Sequence, residues 1–299
     1  IESMLGNVQL IAGTAWLFAR PEFIGSVDTL FVDEAGQVAL ANLIACMPAA
    51  TNVVLLGDQM QLAQPIQGAH PGESGLSGLD YLLDGQPTIA PERGVFLSQS
   101  WRMAPPITDF ISELVYEGRL TCEPNNGLQH IHWGITGSIA RRSQGIETYP
   151  VAHHSNGQQS SEEAEALALV YTELLASTWT NRDGVTEPIT ANDILIVAPY
   201  NLQVQLLKRS LPTDARVGTV DKFQGQEAAA VLISMATSSQ EYLPRDIEFL
   251  FSTNRLNVAI TRGRAYVGFF YSPDLLLVKT NTPESMALVN TVSLLADQG

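Results

Sequence analysis

Eight short stretches of the chain are apolar without a clear alternation: VQLIAG at 8–13, TLFV at 29–32, NVVLLGD at 52–58, GVFLSQ at 94–99, DILIVAPY at 193–200, VGTV at 217–220, AVLISMA at 230–236 and AYVGFFY at 265–271. Continuous runs of this length read as strands buried on both faces, the pattern of a parallel sheet. Between them apolar residues recur at helical spacing, in PITDFISELVYEG at 106–118, SEEAEALALVYTELLAS at 161–177 and NLQVQLLKRSL at 201–211. The second of these follows Ser160 and has Glu163 three residues on, the pairing of a capping box. Strands alternating with helices predict an α/β architecture with parallel sheets, dividing near residue 100 into two units. The stretch PGESGLSG at 71–78 reads as a loop, and residues 121–160, rich in Gly, Ser, Asn and His, are the least regular part.

Composition adds limits. The 299 residues, 45% hydrophobic and 16% charged, suit a globular chain of about two domains. No apolar run approaches the roughly 18 residues of a membrane span, and there is no secretory signal. Residue 1 is Ile, which fits a numbering that begins inside a longer protein. Cys46 and Cys122 make no disulfide framework and fit a reducing cytoplasm. The formal net charge is −15, with only three lysines, Lys208, Lys222 and Lys279. Non-specific affinity for nucleic acid comes largely from counterion release, so this charge argues against strong binding except through a local basic patch.

The chemistry gathers where strands end. TLFV runs straight into Asp33 and Glu34, and VVLLGD into Gly57, Asp58, Gln59 and Gln61. In open α/β sheets ligands bind at the carboxyl ends of strands, so the two exits converge on one pocket, although either alone is an ordinary strand-to-loop transition. Adjacent acids can simply open a surface helix, or they can serve a magnesium–nucleotide site. Trp101 and Arg102 follow another apolar run; Gln224, Gly225 and Glu227 make a tight turn between two strands. Arg255, Arg262 and Arg264 surround an apolar helical turn, as a solvated face or as a phosphate-facing fork. His130, His132, His153, His154 and Cys122 fit no standard zinc-finger spacing and read as loop residues.

Taken in order, these stretches resemble the motifs of superfamily-1 helicases, especially the branch of the nonsense-mediated-decay RNA helicase and the replication helicase/nucleases, over residues 8–271. The resemblance implies tandem RecA-like parallel-sheet domains of the P-loop NTPase type, with 1–100 the C-terminal part of a first, incomplete domain and 101–299 the second. It implies an ATP-dependent helicase or translocase that acts on single-stranded DNA or RNA and couples cleft closure on ATP and Mg²⁺ to stepping. Asp33 would hold Mg²⁺, Glu34 would orient the attacking water, and Gln61 would sense the γ-phosphate. Arg102 and Arg262 would be presented to that phosphate. Trp101 would stack on the base, with Gly225 and Glu227 on the nucleotide and Glu227 on the ribose hydroxyls. Thr14, Pro199, Tyr200, Thr219 and Gln224 would contact nucleic acid.

Two departures stand out. Gln226 replaces a residue that is commonly basic, and no lysine follows a glycine, so the G-x-x-x-x-G-K-[ST] phosphate cradle is absent. A longer parent carrying it upstream, in some relatives with a nuclease domain, is one explanation; an ATPase-dead RecA-like scaffold is the other. With that strand missing, VQLIAG, TLFV and VVLLGD are expected to pair as one parallel block with TLFV in the middle. The gap beside VVLLGD is expected to be closed by VFLSQ, by a neighbouring molecule, or by disorder over 60–95. Residues 101–271 are expected to be complete and better ordered.

Overall fold

The computed structural model describes residues 8–63, 71–134, 142–243 and 247–298, in two compact units, 1–96 and 97–299. In the first, helix α1 (Ala15–Phe18) precedes strand β1 (Val27–Val32). A crossover through α2 (Leu40–Cys46) leads to β2 (Ala50–Leu55), which pairs with β1 in parallel from Val27 against Ala50 to Val32 against Leu55. Leu30 packs with Phe18, Phe23, Leu43, Cys46 and Ala49. The two-residue period then turns Phe31 to the opposite face, where it is 63% exposed and accompanied by Val54 and Leu56.

Two strand expectations fail here. Residues 8–13 form no strand, and TLFV is an edge of a two-stranded sheet rather than its middle. A strand needs a ladder to join, and Val8 and Leu10 are exposed; Ile11 of that run packs on the α-helical side of the core instead. GVFLSQ does not close the gap either. Among the described residues only its last residue is strand, in β3 (Gln99–Ser100), which pairs in parallel with β4 (Thr121–Cys122), while Val95 and Leu97 are exposed. Of the stretch expected to be disordered, 64–70 lie outside the described residues. The rest contains α3 (Gly78–Leu83), opened by a two-way capping box between Ser77 and Asp80.

The second unit holds helix α4 (Pro105–Val115) and strand β5 (His130–His132), followed by β6 (Gly145–Pro150) and α5 (Ser161–Leu175). A hairpin of β7 (Thr178–Thr180) and β8 (Thr186–Pro188) pairs with β5. Then come β9 (Ile194–Val197), α6 (Asn201–Ser210), β10 (Arg216–Gly218) and β11 (Ala228–Ser234). The short α7 (Ile247–Leu250), α8 (Thr253–Ile260), β12 (Gly263–Tyr271) and α9 (Pro283–Ala296) complete it. The main sheet is parallel throughout, in the order β10-β9-β11-β12-β6. All seven residues of β11 are buried. The core joins Ile194, Ile196, Leu232, Tyr266 and Phe270 to Leu167, Val170 and Leu174 of α5.

The irregular reading of 121–160 is corrected by β5 and by β6, an edge strand whose mixed sequence GIETYP carries no continuous apolar run and ends in Pro150, a residue tolerated at sheet edges. The capping box at Ser160 is half made. Ser160 Oγ accepts the Glu163 N–H at 3.1 Å, but the Ser160 N–H goes to Gln203 Oε1 at 2.8 Å. Glu163 turns inward, fully buried, and accepts from Ser234 Oγ at 2.6 Å and from the Ala236 N–H at 2.9 Å, with His153 Nε2 at 2.9 Å. His153 Nδ1 lies 2.7 Å from Ser238 Oγ, so one carboxylate ties the start of α5 to the exit of β11.

Candidate nucleotide and nucleic-acid sites

In the first unit the exits of β1 and β2 are locked together. The Leu56 N–H donates to Val32 O at 2.9 Å and the Ala35 N–H to Leu56 O at 2.8 Å. A Cβ on Gly36 would meet Asp58 O at 2.7 Å and one on Gly57 would meet Ala35 N at 2.8 Å, so only glycines let these backbones approach. The lock places Asp33 and Glu34, both exposed, beside the Asp58–Gln61 turn. Glu34 has φ +52°, a left-handed conformation costing a non-glycine residue roughly 1–2 kcal/mol. Asp33 Oδ1 accepts the Glu34 N–H at 3.0 Å, and Glu34 Oε2 accepts from Gln37 Nε2 at 3.3 Å. Gln61 Nε2 donates to Asp58 Oδ2 at 3.1 Å, and the Met60 N–H to Asp58 Oδ1 at 2.9 Å, so Asp58 positions Gln61. Thr14 is exposed at the start of α1.

In the second unit, Glu227, just ahead of β11, accepts from Arg102 Nε at 2.5 Å through one oxygen and from Arg264 through the other. Burial would raise its carboxyl, but the bonds from Arg264 and then Arg102 outweigh this and hold it below its ordinary value. Arg102 also donates to Thr261 O at 3.2 Å. Arg262 meets the same residue, at Thr261 Oγ1, 3.4 Å away. Its guanidinium otherwise faces Val258 O at 3.0 Å and Gln226 O at 3.3 Å, and the residue is 3% exposed. Trp101 is exposed, with Arg182 over its ring at 5.4 Å and bonded to its carbonyl at 3.0 Å. Gly225 sits at φ +74°, where glycine is favoured. Gln226 accepts from Arg216 at 2.6 Å.

At the other end of the same sheet a cavity of about 320 Å³ opens beyond β9 and β10. It brings together Pro199, Tyr200 and Thr219 with Asp221, Phe249 and Arg255. Tyr200 stacks on Phe249 at 5.7 Å, and Arg255 lies over the Phe249 ring at 4.6 Å and pairs with Asp221 at 3.2 Å. Gln224 lies in the half-buried turn ahead of β11, outside this cavity's lining. The rings of His130 and His132 touch at 4.3 Å on one face of β5, and no cluster of three or more metal-ligating side chains occurs among the described residues.

The AAA domain family matches residues 79–269. The chain belongs to that family. Within it the relatives are superfamily-1 helicases of the decay and replication branch. The chain is 25% identical over 320 residues to the "DNA replication ATP-dependent helicase/nuclease JHS1" of Arabidopsis thaliana, an alignment covering 98% of this chain and 22% of that protein. It is 29% identical to the "DNA-binding protein SMUBP-2" of Rattus norvegicus, over 80% of this chain and 24% of that protein. It is 27% identical to the human "RNA helicase Mov10l1", over 85% of this chain and 23% of that protein. The chain thus spans about a quarter or less of these relatives' length. The solved "Complex structure of Arterivirus nonstructural protein 10 (helicase) with DNA" overlaps 82% of this chain and 40% of its own at 15% identity and a TM-score of only 0.40. No helix among the described residues is long and apolar enough to cross a membrane.

Several residues of these sites carry no role in the sequence reading. Arg264 is read there as part of a solvated face or a phosphate-facing fork, with no carboxylate partner; the start of β12 sends it onto Glu227. Arg182, in the turn of the β7–β8 hairpin, reaches Trp101 across 81 residues, which no local pattern announces. Phe249 and Asp221 are given no reading there; Asp221 lies in the turn Val220–Phe223 after β10.

Proposed function

We propose that the chain supplies the ATP-facing and strand-facing surfaces of an ATP-dependent superfamily-1 helicase or translocase acting on single-stranded DNA or RNA in the cytoplasm. The observation that carries this reading is the exit of β1, where a left-handed Glu34 and the Gly36–Gly57 approach hold two exposed carboxylates beside Asp58 and Gln61. The donor set fits Mg²⁺, a hard cation that takes one or two carboxylates and completes its shell with phosphate and water rather than a protein cage. Asp33 would hold it, and ATP–Mg²⁺ would supply a polarised γ-phosphate. Glu34 would take the proton of the attacking water, with Gln61 positioned by Asp58 beside it. Trp101 and Arg182 suit a base; Glu227, between two arginines, suits ribose hydroxyls, with Gly225 giving close approach.

Arg262 is assigned to transition-state charge, which requires its guanidinium to leave the Val258 and Gln226 carbonyls, and Arg102 to the same phosphate. Closure of the two units on ATP is carried over from the resemblance and rests on it alone. The phosphate cradle that this chain's lysines do not provide belongs, in this proposal, to another segment of the working enzyme, with or without a nuclease domain. Thr14, Pro199, Tyr200, Thr219 and Gln224 are assigned to the strand. Nucleic acid rather than a protein partner is favoured by the aromatic and arginine lining of the cavity beyond β9 and β10.

Fluorescence anisotropy with labelled single-stranded DNA and RNA at low salt should show binding by this chain, and its ATP turnover should stay near background. No binding to either strand, or robust turnover by the chain alone, overturns the proposal. In a protein carrying this sequence with a P-loop, Arg262→Ala should cost roughly 10³–10⁵ in kcat, as for other arginine fingers, with strand affinity little changed.

A further inference from the structure

Among the described residues that line it, the cavity beyond β9 and β10 has one cation and one acid, and they hold each other: Arg255 and Asp221, 3.2 Å apart. A strand-binding pocket lined by an acid poses a problem, because a polyanion entering it meets Asp221 as a like charge. The placement of Arg255 resolves it. Its backbone is pinned at the start of α8, where its N–H donates to Ser252 Oγ at 3.3 Å. Its guanidinium lies over the Phe249 ring, a contact that restrains the plane while leaving the N–H fork free to change partner. Asp221 is 51% exposed and Arg255 30%, so water reaches both and the pair is of the weak, exchangeable kind. The other arginines of this unit's nucleotide cluster differ. Arg102 and Arg264 share the half-buried Glu227 and Arg262 faces backbone carbonyls.

We propose that this cavity is a subsite for single-stranded nucleic acid in which Arg255 takes a backbone phosphate and releases Asp221, while Phe249 and Tyr200 form the apolar wall beside the adjoining nucleotide. The inference rests on the strand-binding reading above and adds to it a phosphate contact and its competitor. Asp221 is a built-in counter-ion: it holds the guanidinium ready over Phe249 when the groove is empty and lowers affinity when it is filled. Contact to a phosphate carries no base identity, so the subsite serves sequence-independent binding.

The test is a salt titration of strand binding by the 299-residue chain and its variants, by anisotropy with a labelled oligo-dT and a labelled oligo-U. Arg255→Gln should weaken binding by about tenfold and make the slope of log K against log salt shallower by about 0.7, the loss of one single-strand phosphate contact. Arg255→Lys should retain most of the slope. Asp221→Asn should tighten binding several-fold, an outcome that damage to the fold does not produce. If the pair were only a structural tie, both Asp221→Asn and Arg255→Gln would weaken binding, and the inference fails. If the unaltered chain binds and Arg255→Gln leaves affinity and slope unchanged, the inference fails while the strand-binding reading stands. If the unaltered chain binds neither probe, both fall.

Discussion

Strands β1 and β11 start from similar sequence and end in opposite surroundings. VDTLFV of β1 leaves Phe31 63% exposed, whereas AAAVLIS of β11 is buried at every position. Their own residues do not explain this, since Phe31 is more apolar than any alanine of β11. The neighbours do. Strand β11 lies between β9 and β12, with α5 packed over it, while among the described residues β1 has β2 alone and helices on one face. A continuous apolar run states what a strand can tolerate on both faces; the rest of the sheet decides whether both faces are covered.

The sharpest way to break the comparison is to shorten a side chain in each sheet. Phe269→Ala, at a fully buried position of β12, should cost roughly 3–5 kcal/mol, and Phe31→Ala should stay within about 0.5 kcal/mol. Urea unfolding followed by a probe in each unit reads both, and a large loss at Phe31 would show that its face is covered. The two glutamates that follow the same contrast come next. Glu163→Ala should destabilise the second unit by about 3 kcal/mol, since it leaves His153, Ser234 and the Ala236 N–H buried without their carboxylate. Glu34→Gly should stabilise the first unit by about 1 kcal/mol by relieving the left-handed strain, while removing the proposed base. Equal thermal midpoints for Glu34→Gly and the unaltered chain would remove the argument from strain.

The smallest effect is a pH dependence confined to the second unit. The folded Glu227 carboxyl lies below its unfolded value of about 4.3, so its contribution is complete above that pH and is lost as pH falls through the folded value. The carboxylate is one-third exposed, which makes the expected slope shallow. Thermal midpoints between pH 6 and pH 3 should flatten in Glu227→Gln relative to the unaltered chain, and in the second unit alone.

Much of the second unit is legible from pattern. The helices read at 106–118, 161–177 and 201–211 form at Pro105–Val115, Ser161–Leu175 and Asn201–Ser210, because their apolar stripes face a sheet that is present to receive them. VQLIAG is just as apolar as VVLLGD and forms no strand, since a ladder is a property of two segments and a sequence shows one at a time. GIETYP fails in the other direction: as an edge strand it carries Glu147 and Thr148, and the apolar-run criterion passes over it. The same limit applies to the sites. Asp33 and Glu34 stand out because they follow an apolar run directly, and Gln61 because it lies in the polar cluster that ends the next one; position at a strand end is local information. Arg182 on Trp101, Glu163 on the β11 exit and Phe249 on Tyr200 are meetings across long stretches of chain, set by the fold.

Helix α8 spans only about two turns, and that shortness has a mechanical meaning. Arg255 stands in its first turn and Arg262 just beyond its last, seven residues and about 10 Å apart along the axis. Arg262 follows the C-cap Thr261, so it stands on the chain leaving the rod rather than on the rod itself. The Arg255 guanidinium overlies Phe249 at the mouth of the cavity; that of Arg262 faces the carbonyls of Val258 and Gln226 next to the Glu227 cluster. A hydrogen-bonded rod of this length has no joint at which to absorb movement. The helix therefore sets a short, fixed spacing between the pocket and the arginine cluster.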